Sequence, residues 1–307
     1  MASLPMARRD VVALILAAAC WGLGTVVSKA ALGEVPPVTL LPMQLAASLV
    51  VLAMLLRRRG IPLAAEGASL IGRLGLLNPG LAYALGLIGL TSITASVSVL
   101  LWVTEPLVIL VLAAWYLGER LSTAQAILSL IAVGGMVLVL DAPSIGPDGW
   151  LGVGLTLAGV VCCAAYTVIA RRHIGAAPET GPIVIAQQAY ALVLAIGLVA
   201  LVGAAGGRVI PSAVTPMGLA SAIVSGVLYY AAAYWFYLSA LRRVPAPLAA
   251  MSFYLIPLVG VAGGAALLGE RLGAGQLLGG AIVVVALLVA ANVPARRTTE
   301  AIARAEP

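Results

Sequence analysis

Glu105 stands near the middle of an apolar run, with Trp102 three residues before it and Pro106 directly after. An acidic side chain at that depth in a bilayer costs about 2.5–3.5 kcal/mol, so something must compensate it. Two readings stay open. Glu105 faces a wet cavity, where it exchanges a proton or meets a substrate ammonium; or it is a protonated side chain that satisfies backbone groups freed by Pro106. Residue spacing does not separate them.

Rings accompany the acid. Tyr83, Trp102, Tyr166, Tyr230, Tyr234 and Tyr254 lie inside apolar runs, whereas Trp115, Tyr116 and Trp150 lie at run ends, as interfacial anchors do. Tyr230, Tyr234 and Tyr237 recur at helical spacing, and Trp102 shares the helical face of Glu105. Ring walls with a few hydroxyls suit an apolar or aromatic solute with a polar end; helix packing is the plain alternative for each ring taken singly. Among the mid-depth polar residues Asn78, Ser98, Gln187, Gln188 and Ser252, the two taken as binding candidates are Asn78 and Gln187. Pro79, Pro106 and Pro257 each remove a backbone hydrogen bond inside a run, leaving a hinge, a solute-binding carbonyl or a static kink.

Other chemistries are excluded by missing parts. The sole lysine, Lys29, follows Ser28 and so does not complete a phosphate-binding G-x-x-x-x-G-K-[ST] loop. The single histidine, His173, lies in a basic loop, which leaves no H-E-x-x-H zinc site. Asp141 and Asp148 fall together between the two halves of the chain rather than at mid-depth. No cofactor and no metal is expected.

The elements that must position these residues are membrane helices. With 63% hydrophobic and 9% charged residues and a mean hydropathy of +1.13, the chain is far from a soluble domain, where about a quarter of residues are charged. The net charge of +6 comes from arginines in short clusters between apolar runs, a pattern that sets membrane orientation rather than one that binds nucleic acid. Cys20, Cys162 and Cys163 all lie within runs and read as core residues. At about 20 apolar residues per span, ten helices are predicted: 10–31, 36–56, 70–90, 93–116, 121–140, 149–171, 182–203, 213–240, 245–268 and 273–292. The first run is too long for a signal peptide and is read as an uncleaved span.

The chain is also duplicated. Residues 106–133 and 257–284 align without a gap at an offset of 151, with 12 of 28 positions identical, including L-G-E-R-L at 117–121 and 268–272. Ile256 stands where the first copy has Glu105. The expected units are residues 1–142 and 143–293, followed by a tail at 294–307. With the N-terminus in the cytoplasm, fourteen basic residues fall on that side and three (Lys29, Arg208, Arg271) on the other, so both termini are expected inside. Five helices per copy invert the second copy relative to the first. The fold class is therefore an all-α membrane protein of ten transmembrane helices, built as two five-helix inverted-topology repeats. Gly260 with Gly264, and Gly275 with Gly279, have the small-xxx-small spacing of close helix contacts. Glu119-Arg120 and Glu270-Arg271, at helix junctions, are expected to form local ion pairs or hold the turn, with gating as the alternative.

Trp21-Gly22 with Lys29 closing the first helix, Glu105-Pro106, Pro257 and the two L-G-E-R-L corners together resemble the EamA family of the drug/metabolite transporter superfamily, over nearly the whole chain. Within it the sequence looks most like YddG-type exporters of aromatic and other hydrophobic amino acids. Gln44 departs from the pattern, standing where many EamA proteins would have an arginine, which argues against an anionic sugar or nucleotide substrate. The resemblance implies a secondary transporter of a bacterial-type inner membrane that exports small amphipathic metabolites by alternating access. Its partners would be that solute, the lipid bilayer and, where Glu105 titrates, protons. The alternatives are export of other metabolites or drugs, and a non-transporting receptor or scaffold.

Overall fold

The computed structural model describes residues 8–64, 72–116, 123–140, 146–173, 180–241 and 252–292. Among them the regular elements are helices: α1 (Arg8–Ala31), α2 (Pro37–Arg58), α3 (Leu74–Leu90), α4a (Ala95–Trp102) and α4b (Glu105–Tyr116), α5 (Thr123–Leu140), α6 (Pro147–His173), α7 (Thr180–Ala204), α8 (216–241), α9 (252–268) and α10 (Ala274–Asn292). Counting α4a and α4b as one broken helix gives ten, each within a few residues of the sequence expectation where the chain is described. Five are long and apolar enough to cross a membrane, and shorter apolar helices make up the others.

The ends follow local chemistry. Thr94 caps α4a, its hydroxyl accepting from the Val97 N–H at 3.1 Å, and Thr215 caps α8 in the same way for Gly218, with Pro216 at the first helical position. Two helices carry a widened π turn in mid-span, Leu77–Leu81 in α3 and Val227–Ala232 in α8. Asn78 breaks the helical backbone of the first (φ −141°, ψ 118°), as expected for a residue before proline.

Packing pairs the helices across the duplication. The α5–α10 contact is the most extensive, and α2 lies on α7. α1 packs on α8 and α9, as α6 packs on α3 and α4b; α2 meets α8 as α7 meets α3. Exchanging the two repeats maps these contacts onto one another or onto themselves, as two copies of one five-helix unit require. Large apolar side chains such as Val12, Met54, Val193, Ile196 and Val137 point outward, a surface that only a hydrocarbon solvent tolerates.

Glycines set the closest approaches. A Cβ on Gly22 of α1 would lie 2.8 Å from the Ile256 carbonyl and 2.9 Å from the Gly260 nitrogen of α9, and one on Gly279 of α10 would strike the Gly135 carbonyl of α5. Gly264 lies against the Glu270 carboxylate and Ser96, while Gly275 faces open space; of the small-residue pairs read from sequence, Gly275 alone makes no close contact.

Gly279→Ala is therefore expected to destabilise the fold by about 1–3 kcal/mol through overpacking, and Gly275→Ala to leave it nearly unchanged. Thermal unfolding in detergent checks this; equal midpoints for the two variants would contradict the α5–α10 contact.

Candidate functional site

The break in α4 follows from Pro106. Lacking an N–H, proline cannot donate to the carbonyl four residues back, that of Trp102. Thr104 fills the turn: its hydroxyl donates to the Leu101 carbonyl at 2.6 Å and its own carbonyl accepts from Leu107 N at 2.9 Å. The outer segment, α4a, packs on α1 and α9; the inner segment, α4b, lies on α6. Glu105 opens α4b at this fork and is half-buried.

Two groups of rings flank the fork. Tyr83 of α3 is the hub of the first, with centroid distances of 5.3 Å to Trp102, 5.1 Å to Tyr229 and 5.5 Å to Tyr230. Trp21 of α1 is the hub of the second, 5.6 Å from both Tyr234 and Tyr237 of α8 and 5.5 Å from Phe253 of α9, all edge-on. These spacings are those of favourable ring pairs. A polar line joins them from α6 and α7. The Glu105 carboxyl is hydrogen-bonded to the Cys163 thiol, Tyr166 lies within electrostatic reach of both, and the Gln187 amide donates to the Tyr166 hydroxyl at 2.7 Å.

Tyr83, Trp102 and Tyr229 also wall a cavity of about 30 Å³ together with Thr25, Ser28 and Ser98. That volume holds about two waters, so the state described is a narrow one. Behind it Gln44, fully buried, donates its amide to Ser28 Oγ at 2.8 Å and to Ser225 Oγ at 2.7 Å. One side chain thus ties α1, α2 and α8 beneath the cavity wall.

The sequence-expected residues fall into three groups. Tyr83, Trp102, Glu105, Tyr230 and Tyr234 come together around the fork, and Gln187 reaches it through Tyr166. Asn78 does not line the cavity: it is buried at the α3–α7 contact, beside the point where Gly75 abuts the Gln187 backbone, with its Oδ1 unpartnered. Pro79 is buried at the break in α3, and Pro257 is buried in the first turn of the α-helix that begins at Leu255, while the side chains of Pro106 and Tyr254, like residues Glu119 and Arg120, lie outside the described part. Tyr230 is nearly sealed, 2% exposed, and Tyr229 takes a place on the wall beside it. Both line the cavity and both belong to the π turn of α8, whose extra residue per turn lets neighbouring side chains share one wall. The same turn frees the Tyr230 carbonyl, which accepts from Gln188 Nε2 at 3.0 Å. Trp21, Cys163, Phe253 and the hydroxyls of Thr25 and Ser28 were not singled out from sequence as site residues; Trp21 and Phe253 are rings within apolar runs, a signal that was present.

Glu270 corrects another expectation. It does not serve a local pair with Arg271; its carboxylate reaches across to α4a, accepting from Ala95 N at 2.7 Å, Ser96 N at 2.9 Å and Ser96 Oγ at 2.6 Å. Lys29 closes the end of α3 from the other side, donating to the carbonyls of Leu90 at 2.7 Å, Thr91 at 3.3 Å and Ile93 at 2.8 Å.

Comparison with known proteins gives one family. The EamA-like transporter family matches twice, over residues 9–141 and 150–292. A solved chain described only as "Crystal structure of protein" is similar over 94% of this chain and 99% of its own, with a TM-score of 0.63 and 18% identity, a likeness of fold. No curated protein sequence matches.

With Cys20, Cys162 and Cys163 replaced by alanine, Trp102→Cys is expected to react with a water-soluble maleimide about tenfold or more faster than Leu101→Cys, whose position is fully buried, because thiol reactivity follows access. Equal rates would contradict a water-reachable space at the fork.

Proposed function

The chain belongs to the EamA-like transporter family, a family of multi-pass membrane transporters of small molecules, and on that premise we propose that it exports small amphipathic solutes bearing an amine, amino acids including aromatic ones. The observation that carries this reading is a half-buried carboxyl, Glu105, set at a helix break between two groups of rings. A carboxylate there pairs with an ammonium. Rings hold an apolar body, and the hydroxyls of Ser28 and Ser98 offer donors to a carboxylate at the other end of the solute, the Thr25 hydroxyl being spent on the Trp21 carbonyl. The remaining polar candidates support that end indirectly: Gln187 orients Tyr166, and Gln44 orients Ser28.

The route follows from the packing. Helix α4 stays with α1 and α9 along its outer half and leaves them along its inner half, while Lys29 and Glu270 close the outer ends. The cavity is thus reached from the end at which α1 begins. The excess of arginines in the sequence at that end supports reading it as the cytoplasmic side; in a bacterial-type inner membrane, solute then enters from inside. Alternating access then consists of one five-helix unit tilting against the other about the breaks at Pro79, Pro106 and Pro257, with units at residues 1–142 and 143–293. Proton exchange at Glu105 would couple that movement to the pH gradient.

Counterflow in proteoliposomes tests the reading. Labelled tryptophan should accumulate in vesicles preloaded with tryptophan, phenylalanine or threonine and not in vesicles preloaded with a sugar. Glu105→Gln should weaken amine-bearing solutes by about 10-fold or more, the usual worth of a hydrogen bond to a charged group. Unchanged counterflow in that variant across a range of pH would remove Glu105 from both the binding and the coupling role.

A further inference from the structure

The turn between α3 and α4a is held from two sides by opposite charges. Lys29, one helical turn beyond the cavity residue Thr25 and next to Ser28, places its ammonium on three carbonyls at the C-terminal end of α3. Glu270, from the α9–α10 corner of the other repeat, places its carboxylate on the first two N–H groups of α4a and on the Ser96 hydroxyl. Each charge sits at the helix end whose dipole favours it, and each satisfies backbone groups that have no partner within their own helix. The two side chains also lie within electrostatic reach of each other. Neither is deeply sealed: both are half-buried, so water can compete for the same groups once the helices part.

The same residues roof the cavity. Leu90, whose carbonyl holds Lys29, lines it; so does Ser28 beside Lys29; and Ser98 lies on α4a directly below the Glu270 contacts. Six charge-assisted hydrogen bonds therefore join α1, the α3–α4a turn and the α9–α10 corner directly over the space that a solute must leave.

We infer that Lys29 and Glu270 form a paired latch that closes the Lys29 end of the cavity and must release for solute to exit there. The inference rests on the transport reading. The two helix ends become solvated when the latch opens, and their dipoles reattract the charges when it closes, so the latch resets without a covalent step or a bound ion. In sequence the other repeat carries Glu119 at the position matching Glu270, but Pro247 at the position matching Ser96. Proline has neither the N–H nor the hydroxyl that Glu270 uses at Ser96, so the duplicated copy lacks an equal set of donors.

Labelling from one side tests this without any substrate, so an error in the choice of solute does not affect it. A single cysteine at Ser98, in the full chain with Cys20, Cys162 and Cys163 replaced by alanine, is reconstituted in one orientation and exposed to a membrane-impermeant maleimide on the Lys29 side only. Labelling is expected to be slow in this parent and about tenfold faster with Lys29→Met or Glu270→Gln, with a smaller increase for Ser96→Ala, which removes one donor and leaves the helix intact. Arg271→Gln, exposed on the same corner, should leave the rate unchanged. A reporter at Leu101 should stay unlabelled throughout. Unchanged labelling of Ser98→Cys in the Lys29 and Glu270 variants would overturn the latch, and so would equal acceleration at Leu101→Cys, which would mean loosened packing instead of an opened end.

Discussion

Inside a bilayer no water is available to a backbone group that a helix break sets free, and each such group costs several kcal/mol until the protein partners it. The breaks in this chain are where its polar side chains are spent. Lys29 and Glu270 satisfy the two helix ends around the α3–α4a turn, Gln188 satisfies the Tyr230 carbonyl freed by the π turn of α8, and Thr104 fills the turn before Pro106. A solute site grows from the same circumstance: wherever the helix is interrupted and one side is left open, the protein offers polar atoms at membrane depth, and Glu105 stands at one such interruption.

Duplication explains why the interruptions face one another. Because the main helix contacts map onto each other when the two repeats are exchanged, α4a packs directly on α9, and Trp102 and Phe253 occupy matching positions four residues before Pro106 and Pro257. The symmetry is incomplete in the chemistry. Glu105 has Ile256 as its counterpart, and Ser96 has Pro247, so one copy alone supplies the acid. Two similar units with unequal fittings form a machine whose two openings need not be equally populated.

The architecture was legible because a membrane span is a strong signal: twenty apolar residues between arginines leave little choice, and the repeated L-G-E-R-L marked the two halves. Glu105 was legible for the same reason, as an acid in an apolar run. What failed were inferences that depend on register and reach. Helical spacing selected Tyr230, which lines the cavity, and passed over its neighbour Tyr229, which lines it too because both sit in a π turn. Asn78 was expected at the cavity and lies at a helix–helix contact. Glu270 was read with its neighbour Arg271, since nothing in a linear sequence shows that a carboxylate at one corner reaches a helix end 175 residues away. Gln44 was noted only as an absent arginine, although it ties three helices together.

The central claim is that two similar units enclose one solute space and open it at one end at a time. Spin-label distances measure this most directly, between positions 115 and 183, one on each unit, at the end where α1 begins and between positions 30 and 271 at the Lys29 end, with and without a counterflow-competent solute. The account predicts two populations at each end whose weights move in opposite directions when solute is added. A single fixed distance at both ends, or both ends widening together, would contradict it.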